Sequence, residues 1–538
     1  MKEKSLAVQE LVRPVHRFRV FPNRDYDLSL AEMAVLQTSP IQRLRKLRQI
    51  GLGYLALPTA EHSRLAHSLG TAYWAVEFLG HLRSNCFSQS VGDGYDPPGN
   101  CQRLEAIEEE LGPDVSLDLI VRLFALVHDM TLLPLGHTLQ FQLGYFNREK
   151  ANAGRAQCCL QWIRKELKTA LSSAYGGGDV AFSKLFNGLM AHLCIVQNIF
   201  DLRENSENRK KTHKVPQDSK ISAEVETAFY PLVIDLIAST FSADLVDFAL
   251  RDSLGAGMLR TFDGKLGDYL CVYCLPGETE KPFPPGGGNK SRQSTLTKSY
   301  RLGLNPLRET YRDEVVAGVL SLQRIRYELA ENVFYHEEKL VADAMLDRVI
   351  RLIDEKSHVV SQELGLFSQM KLLRIGDEDF LKLLETKERQ VSGKRLRRIM
   401  PDLLARRLYK EVFRVSRLSD LSPDARLLVE KAANPKGRTA LERKVLRRIP
   451  ELTESDLIFS SRPFSMQAKP SSVLIGWTDG QPLPLMDIAR RFGYATEALD
   501  LAERYQSLWS LSIYLHPEAL TVAPKVKQVC QALFQTSP

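Results

Sequence analysis

Imidazole and carboxylate side chains occur in two apolar stretches of the sequence, where buried charge needs a partner. His128 and Asp129 directly follow the apolar run FALV, and burying both groups is costly unless something pairs them. Asp244 and Asp247 lie in a second such stretch, FSADLVDFALRD. Imidazole and carboxylate together suit a borderline divalent metal that keeps open positions for water. These residue types therefore indicate a metal site suited to hydrolysis.

A third stretch, RLAHSLG, contains Arg64 and His67, which share one face of a helix at this spacing. Taken alone, each feature also fits an ordinary core, because a single buried histidine is commonly hydrogen-bonded and a single aspartate commonly caps a helix. The alternative to a metal site is therefore a helical core with buried polar pairs. Both interpretations require helices that bring the three stretches together.

The spacing of apolar residues predicts that these elements are mainly α-helical. Residues 117–129 are nearly all apolar, which indicates a helix buried on most sides, and residues 229–252 are similar. Residues 314–355 have the pattern of long amphipathic helices. Strand signals are few, and residues 268–276 and 299–304 predict a hairpin around a loop rich in Gly and Pro.

Three regions are predicted along the 538 residues. They are a helical core at 1–350, a basic helical segment at 351–455 and a small α+β unit at 456–538. In the last region, residues 471–477 and 508–515 alternate like strands around a helical stretch. The predicted fold class is mainly α, a helical bundle with a β-hairpin insertion and a small α+β C-terminal unit.

Composition and charge narrow the class of protein. Hydrophobic residues make up 44 % and charged residues 25 %, as in ordinary globular proteins. We expect a cytoplasmic protein with no membrane partner, because long apolar runs and a signal-like start are absent and the eight cysteines do not form a disulfide framework. Residues 394–417 carry nine basic residues against two acidic ones. This stretch predicts either a phosphate-bearing partner, nucleotide or nucleic acid, or a solvated helix face.

Read together, the segments resemble HD-domain deoxynucleoside triphosphate triphosphohydrolases. Four motifs stand in the order of that family. They are QRLR followed by P-x-A-x-H-x-R-x-x-HSLG within 37–75, the HD segment at 126–138, D-x-x-D-[YF]-x-x-RD at 243–252 and R-x-x-L with a later ML at 324–346. The resemblance covers residues 10–350 and implies a helical HD-domain core.

The resemblance implies a single metal centre. The residues that match the family's ligands are His67, His128, Asp129 and Asp244. Two imidazoles and two carboxylates from separate helices can hold one divalent cation and leave positions for water and phosphate oxygens. The resemblance implies Mn, Fe, Zn or Ni as the cofactor, with Mg as a further candidate.

The resemblance also implies a pocket for the substrate. The matching positions are Gln49, Ile50, Arg64, Phe248, Asp252, Arg326, Phe334 and Tyr335. Arg64 and Arg326 would hold the triphosphate, because a forked guanidinium suits phosphate oxygens. Gln49 and Ile50 would lie beside the sugar, and Phe248 would wall it. Asp252 would accept a sugar hydroxyl, and Phe334 with Tyr335 would meet the sugar or the base.

The sequence departs from the family at positions that handle protons and phosphate. Leu132 stands where the family has a histidine, and Leu245 stands where it has a lysine. Residues 146–157 contain no histidine where a further one is expected. Losing one positioned general acid lowers a rate by about 10²–10⁴. The remaining catalytic candidates are His137, His62 and Asp129.

Three functions stay open at this point. The first is a metal-dependent hydrolase that converts a deoxynucleoside triphosphate to deoxynucleoside and triphosphate. The second is a catalytically weakened nucleotide sensor, and the third is a nucleic-acid-binding protein or nuclease that uses residues 394–417. The resemblance further implies a homo-oligomer with an allosteric nucleotide near Val15 and His16, and a role in antiviral defence.

Overall fold

The structure is a computed structural model. It describes residues 3–88, 101–139, 143, 145, 148–175, 180–204, 223–262, 264–276, 298–306, 312–357, 369–391, 397–416, 421–461, 472–477 and 482–534. The Gly- and Pro-rich loop of the predicted hairpin lies outside the described residues, as do both ends of the basic stretch 394–417.

Helices dominate the described part of the chain, which confirms the predicted mainly α fold. The α-helices are α1 (Leu6–Leu11), α2 (Leu30–Leu36), α3 (Ser39–Gln42), α4 (Arg64–Ser88), α5 (Leu104–Leu111), α6 (Leu117–Val127), α7 (Arg148–Ala174), α8 (Phe182–Glu204), α9 (Ala223–Ala238), α10 (Ala243–Gly255), α11 (Glu314–Leu329), α12 (Glu337–Ser357), α13 (Gln369–Leu372), α14 (Asp377–Val391), α15 (Ile399–Leu404), α16 (Pro423–Ala432), α17 (Pro435–Leu446), α18 (Leu485–Phe492), α19 (Ala495–Ser507) and α20 (Ala523–Phe534). A π-helical turn, Ala330–Phe334, joins α11 to α12.

The strands form three small sheets. They are β1 (Pro14–Phe21), β2 (Arg24–Ser29), β3 (Cys101–Gln102), β4 (Leu270–Pro276), β5 (Lys298–Leu304), β6 (Lys410–Val415), β7 (Leu457–Ser461), β8 (Leu474–Ile475), β9 (Leu483–Pro484) and β10 (Leu511–Leu515). The sheets have the orders β1-β2, β3-β4-β5-β8-β9 and β6-β10-β7. Strands β4 and β5 are antiparallel, with Leu270 opposite Leu304, which confirms the predicted hairpin.

The main core surrounds α4, which packs against both α6 and α10. Nine of the eleven residues of α6 are buried, as its apolar sequence predicts. Serine caps fix where α6 and α10 begin. Ser116 accepts a hydrogen bond from the backbone N–H of Leu119 at 3.2 Å, and Ser242 accepts one from Leu245 at 3.3 Å. Because α6 ends at Val127, the next two residues lie directly at its C-terminal end.

Helices α4 and α10 approach each other closely at Gly70. A Cβ atom at this position would lie 1.8 Å from Oδ1 of Asp247 and 2.3 Å from Nη2 of Arg251. Asp247 and Arg251 are themselves paired, with Nε of Arg251 2.8 Å from the carboxylate. Only glycine therefore allows this ion pair of α10 to lie against α4.

A second, smaller core lies in the C-terminal third of the chain. Residues of β6, β7, β10, α16, α17 and α20 form it, between Phe413 and Phe534. Strand β6 belongs to the region predicted as a basic helical segment, yet it pairs with β10 from the predicted α+β unit. The boundary near residue 455 stays a prediction, and this core draws strands from both sides of it.

Buried ion pairs connect the two cores. Arg351 of α12 donates to Glu442 of α17 from Nη2 at 2.7 Å and to Asp347 from Nε at 2.8 Å. Arg438 of α17 donates to the same Asp347 at 2.8 Å. All four side chains are at most 3 % exposed. Breaking such a buried pair costs about 3–5 kcal/mol, so these charges hold α12 firmly against α17.

Helix α8 is the one described helix that is long and apolar enough to cross a membrane. Its apolar span, Phe182–Arg203, has a mean hydropathy of 1.3. Of the 18-residue window on which that finding rests, 56 % is buried in the structure. Phe200 of this helix contacts Phe124 of α6 with ring centroids 5.0 Å apart. Phe200 and other apolar residues of α8 are part of the main core.

The close crossing at Gly70 gives a first prediction. We expect Gly70→Ala to lower the free energy of unfolding by about 1–3 kcal/mol, because its methyl group overlaps Asp247. The matched control is Gly80→Ala on the same helix, where a Cβ meets nothing within 4 Å. The control should be neutral or slightly stabilising, because alanine favours helix. Urea unfolding of both variants measures the difference, and equal stabilities would contradict the prediction.

Candidate metal centre

Three of the four predicted ligands meet where α4 passes the end of α6. His67 projects from the first turns of α4, and His128 and Asp129 follow α6. One potential ligand atom from each of these residues lies within 4.8 Å of those of the other two. The two imidazole rings have centroids 5.3 Å apart. Both histidines are buried, and the side chain of Asp129 is 14 % exposed.

Both histidines are oriented through their Nδ1 atoms. Nδ1 of His67 is 2.8 Å from Oδ2 of Asp247, and Nδ1 of His128 is 2.7 Å from the carbonyl oxygen of Ala125. These contacts assign the Nδ1 proton to each outer bond and leave Nε2 as the inward-facing atom. Metal-binding histidines commonly have such an outer partner, a carboxylate or a backbone carbonyl.

Asp244 completes the predicted set of four. Its Oδ1 is 2.9 Å from Nε2 of His67 and 3.9 Å from Nε2 of His128, while Oδ1 of Asp129 is 3.6 Å from the latter. Nε2 of His128 is buried and has no hydrogen-bond partner among the described residues. A buried nitrogen without a partner is uncommon and calls for an explanation. Two imidazoles and two carboxylates around this atom fit a divalent cation.

The electrostatics keep both carboxylates ionised. Burial opposes the charge of Asp129, but His128, Arg64 and His67 outweigh it and hold the pKa of this carboxyl well below its ordinary value. The pKa of Asp244 is lowered in the same way, mainly by the hydrogen bond from His67. Burial also opposes the charge of His67, yet the hydrogen bonds to Asp244 and Asp247 raise the pKa of His67 to about 10.

Arg64, predicted to hold the triphosphate, is engaged with protein groups. Its Nη1 donates to Oδ2 of Asp129 at 2.9 Å, and its Nη2 donates to the carbonyl oxygen of Gln49 at 2.7 Å. The side chain is 2 % exposed. Gly136 has φ +49°, and a Cβ there would lie 3.0 Å from Nη2. In this structure Arg64 therefore fixes Asp129 and the segment that contains Gln49.

His62, the second candidate histidine, is paired with Asp252 of α10. Nε2 of His62 is 2.7 Å from Oδ1 of Asp252, and Nδ1 lies against Gly255, whose Cβ would be only 2.5 Å away. Oδ2 of Asp252 is buried without a partner among the described residues. Asp252 follows Asp244 by eight positions along α10, which corresponds to a rise of about 12 Å along the helix axis. The His62–Asp252 pair therefore lies away from the metal ligands.

Two of the predicted aromatic residues lie between these ends. Phe248 of α10 stacks on Phe334 with ring centroids 5.8 Å apart and an interplanar angle of 26°. Phe334 ends the π-helical turn, a form that is often found at functional sites. The next residue, Tyr335, contacts Tyr505 of α19 with centroids 6.5 Å apart.

The remaining predicted substrate positions are Gln49, Ile50 and Arg326. Gln49 and Ile50 are buried, and Oε1 of Gln49 has no partner in the described part of the chain. Arg326 lies in the last turn of α11 and is partly exposed. Nothing in the structure gives it a hydrogen bond or an ion pair within the described ranges.

The structure separates the two candidate histidines. His137 is exposed, and its charge contributes to lowering the pKa of Asp129, after those of His128, Arg64 and His67. Leu132 and Leu245 are each 6 % exposed and form part of the core. In the stretch 146–157, which lacks the expected histidine, the first residues lie outside the described part.

Some functional contacts were not predicted from the sequence. Asp247, which orients His67, is a partner that the sequence does not predict. Its place one helical turn after Asp244 was the available signal. The backbone carbonyl of Ala125 is hydrogen-bonded to the ring of His128. The side chains of Arg43 and Asp377 bind backbone groups near the centre. Contacts of that kind leave no residue pattern.

The basic stretch is largely neutralised where the structure describes it. Arg397 lies 2.9 Å from Asp456, Arg407 lies 2.7 Å from Asp402 and Arg414 lies 2.6 Å from Glu337. Arg406 is paired with Glu338. These ion pairs reduce the charge available to a nucleic acid, so residues 397–416 lend the nucleic-acid hypothesis no support.

Comparison with known proteins gives short local similarities. No family model matches the chain. It is 31 % identical over 132 residues to an uncharacterised protein of Methanocaldococcus jannaschii, covering 24 % of this chain and 22 % of that protein. It is 46 % identical over 50 residues to the deoxynucleoside triphosphate triphosphohydrolase SAMHD1 of Bos taurus, covering 9 % and 8 %. A putative HD domain-containing protein of Acanthamoeba polyphaga mimivirus is 53 % identical over 36 residues, covering 7 % and 8 %.

The chain spans less than a quarter of the length of each of these relatives. The similarities to SAMHD1 and to the viral HD domain-containing protein suggest a relationship to HD-domain proteins. The His67, His128 and Asp129 cluster agrees with the divalent metal that such a relationship implies.

The protonation of His67 makes metal binding depend on pH. Below a pKa of about 10 this imidazole holds a proton that a cation must displace. We therefore expect release of about one proton per bound Mn²⁺ at neutral pH, and an affinity that rises with pH up to that pKa. Calorimetry in two buffers with different ionisation enthalpies measures the proton count.

The control for this prediction is Asp247→Asn, which removes the negative charge beside Nδ1 of His67. The pKa of His67 should fall, and fewer protons should be released on binding at the same pH. Binding of Mn²⁺ without any proton release by the natural chain would contradict the assignment.

Proposed function

We propose that the protein is a metal-dependent phosphohydrolase that converts deoxynucleoside triphosphates to deoxynucleoside and triphosphate. The observation that carries the proposal is the pair of oriented imidazoles. Nδ1 of His67 and of His128 is hydrogen-bonded outward, so both Nε2 atoms face Asp129 and Asp244. The proposal is supported by these outer bonds, because metal-binding histidines commonly have such a partner.

His67, His128, Asp129 and Asp244 would hold the metal. When bound, a divalent cation supplies Lewis acidity toward phosphate oxygens and water. The nitrogen and oxygen ligands suit Mn, Fe, Zn or Ni, and Mg²⁺ would accompany the phosphates of the nucleotide. Arg64 keeps Asp129 in place by its 2.9 Å hydrogen bond, so the ligand set is preorganised before the substrate arrives.

In the proposed reaction a water molecule adds to the α-phosphorus and the bond to the 5′-oxygen breaks. That oxygen needs a proton as the deoxynucleoside leaves. His137 is our candidate donor, because it is exposed and its charge acts on Asp129, while Leu132 cannot transfer a proton. Arg326, which has no partner among the described residues, is the candidate contact for the phosphate chain.

The sugar would lie at the other end of α10. Phe248 and Phe334 provide apolar rings, and the unpartnered Oδ2 of Asp252 is a hydrogen-bond acceptor for a hydroxyl. His62 holds the other oxygen of that carboxylate. In the proposal His62 is therefore a positioning residue, and His137 is the residue near the phosphate.

A panel of nucleotides tests the activity. The protein, loaded with Mn²⁺, Mg²⁺ or Fe²⁺, is incubated with each deoxynucleotide and ribonucleotide, alone and in pairs, and the products are separated by chromatography. We expect deoxynucleoside and triphosphate, and none from a His128→Ala, Asp129→Ala variant. His81→Ala on α4 is the matched control, because His81 lies outside the centre.

The same panel distinguishes a nucleotide sensor from an enzyme. Two buried leucines favour the sensor. Leu132 stands where the family that the sequence resembles has a histidine, and Leu245 stands where that family has a lysine. Nucleotide that raises the melting temperature without any product would support the sensor. Multiple turnover would exclude it, and neither binding nor turnover would reject both proposals.

The two histidines should give different kinetic defects. We expect His137→Gln to lower kcat by about 10²–10⁴ with little change in KM, because it removes a proton donor. His62→Gln should raise KM more than it lowers kcat, because it loosens Asp252 at the sugar end. Steady-state kinetics of both variants measure the contrast, and the reverse pattern would exchange the two roles.

A further inference from the structure

Asp377, the first residue of α14, joins two segments of the candidate site through their backbones. Its Oδ1 accepts a hydrogen bond from the N–H of Leu135 at 2.7 Å, and its Oδ2 accepts one from the N–H of Arg48 at 2.7 Å. The residue is fully buried. One carboxylate therefore connects parts of the chain that are far apart in sequence.

Both backbone segments lead directly to predicted site residues. Arg48 precedes Gln49, whose carbonyl oxygen accepts a hydrogen bond from Nη2 of Arg64. Leu135 lies two residues before His137, in the turn that follows the metal ligands. The separation of these two segments sets how far the proton donor lies from the groups that contact the sugar.

The turn at Leu135 is one that leucine rarely adopts. Its φ is +59°, in the left-handed region, where a side chain other than glycine is strained. Strain of this kind persists only where surrounding contacts impose it, and it is often found at functional sites. The hydrogen bond from Leu135 to Asp377 is one such contact.

The residues before and after Asp377 press against the same region. A Cβ at Gly376 would lie 2.5 Å from Cβ of Lys46, so the backbones are nearly in contact. Glu378 pairs with the guanidinium of Arg48 at 2.8 Å. Arg43 donates to the carbonyl oxygen of Leu132 at 2.6 Å and to that of Ile375 at 3.4 Å.

We infer that Asp377 is a positioning residue of the candidate site, fixing the turn that bears His137 against the segment that bears Gln49. The inference rests on the proposed function. Asp377 has no hydrogen bond or ion pair to the predicted metal ligands among the described residues. It holds the two segments through their backbone N–H groups, and its charge also acts on the guanidinium groups of Arg48 and Arg64.

The test compares Asp377→Asn with Glu378→Gln, its neighbour in the same helical turn. Each variant loses one negative charge. Only Asp377→Asn, however, places an amide NH2 group, which cannot accept a hydrogen bond, opposite one of the two backbone N–H donors. Hydrogen exchange followed by mass spectrometry should show faster exchange at Arg48 or Leu135 in Asp377→Asn alone. Metal bound per chain should stay unchanged, because the ligands lie on other elements.

Turnover per bound metal separates positioning from general stability. We expect Asp377→Asn to lower kcat per bound metal by about tenfold to a hundredfold, because small misplacements near the chemistry have effects of this size. A purely structural role would lower metal content and melting temperature together and leave kcat per bound metal within twofold. That second result would overturn the inference, as would exchange rates equal to those of Glu378→Gln.

Failure of the proposed function would be visible separately, because the natural chain would then give no product. The exchange comparison does not need activity and would still decide whether Asp377 holds both segments. Should Asp377→Asn fail to fold, Asp377→Glu keeps the charge and shifts the carboxylate by one methylene. The same faster exchange and the same loss per bound metal are expected from it.

Discussion

The hydrogen bond between Nδ1 of His67 and Asp247 joins α4 to α10, and the geometry of the candidate centre depends on it. It fixes the ring so that Nε2 faces Asp244, and Gly70 gives Asp247 the space to reach α4. Arg251 binds both oxygens of the same carboxylate, with Nε donating to Oδ2 and Nη2 donating to Oδ1. A contact outside the ligand set thereby determines where the ligands point, as in many metal proteins.

In the proposed function, the two ends of α10 would have different roles. One end has carboxylates and histidines, where burial opposes the charge of Asp129 but His128, Arg64 and His67 together lower the pKa of this carboxyl. The other end has Phe248 and the His62–Asp252 pair, which are suited to an apolar ring and a hydroxyl. A helix with ligands at its start and a hydroxyl acceptor near its end can hold a molecule that is charged at one end only.

Local sequence patterns predicted the helical fold and the β4–β5 hairpin, because the spacing of apolar residues differs between helix and strand. The family resemblance implied the ligand set, of which His67, His128 and Asp129 lie together in the structure. Asp377 could not be predicted, because it contacts backbone N–H groups that every residue has. The pairing of β6 with β10 joins segments about a hundred residues apart, and the arginines of 397–416 find acids in distant elements. Such long-range partners follow from the fold and leave no local pattern.

The crossing at Gly70 also restricts the order in which this sequence can change over evolutionary time. A side chain at position 70 fits only after Asp247 has been replaced by something smaller, since the two would overlap. Replacing Asp247 first frees the ring of His67 to rotate and weakens the grip on a cation. If the centre binds a metal as proposed, a descendant that keeps it would retain glycine at this position, whereas one without a metal would be free to fill it. A bulky residue at the equivalent position would thus record that the centre had been abandoned.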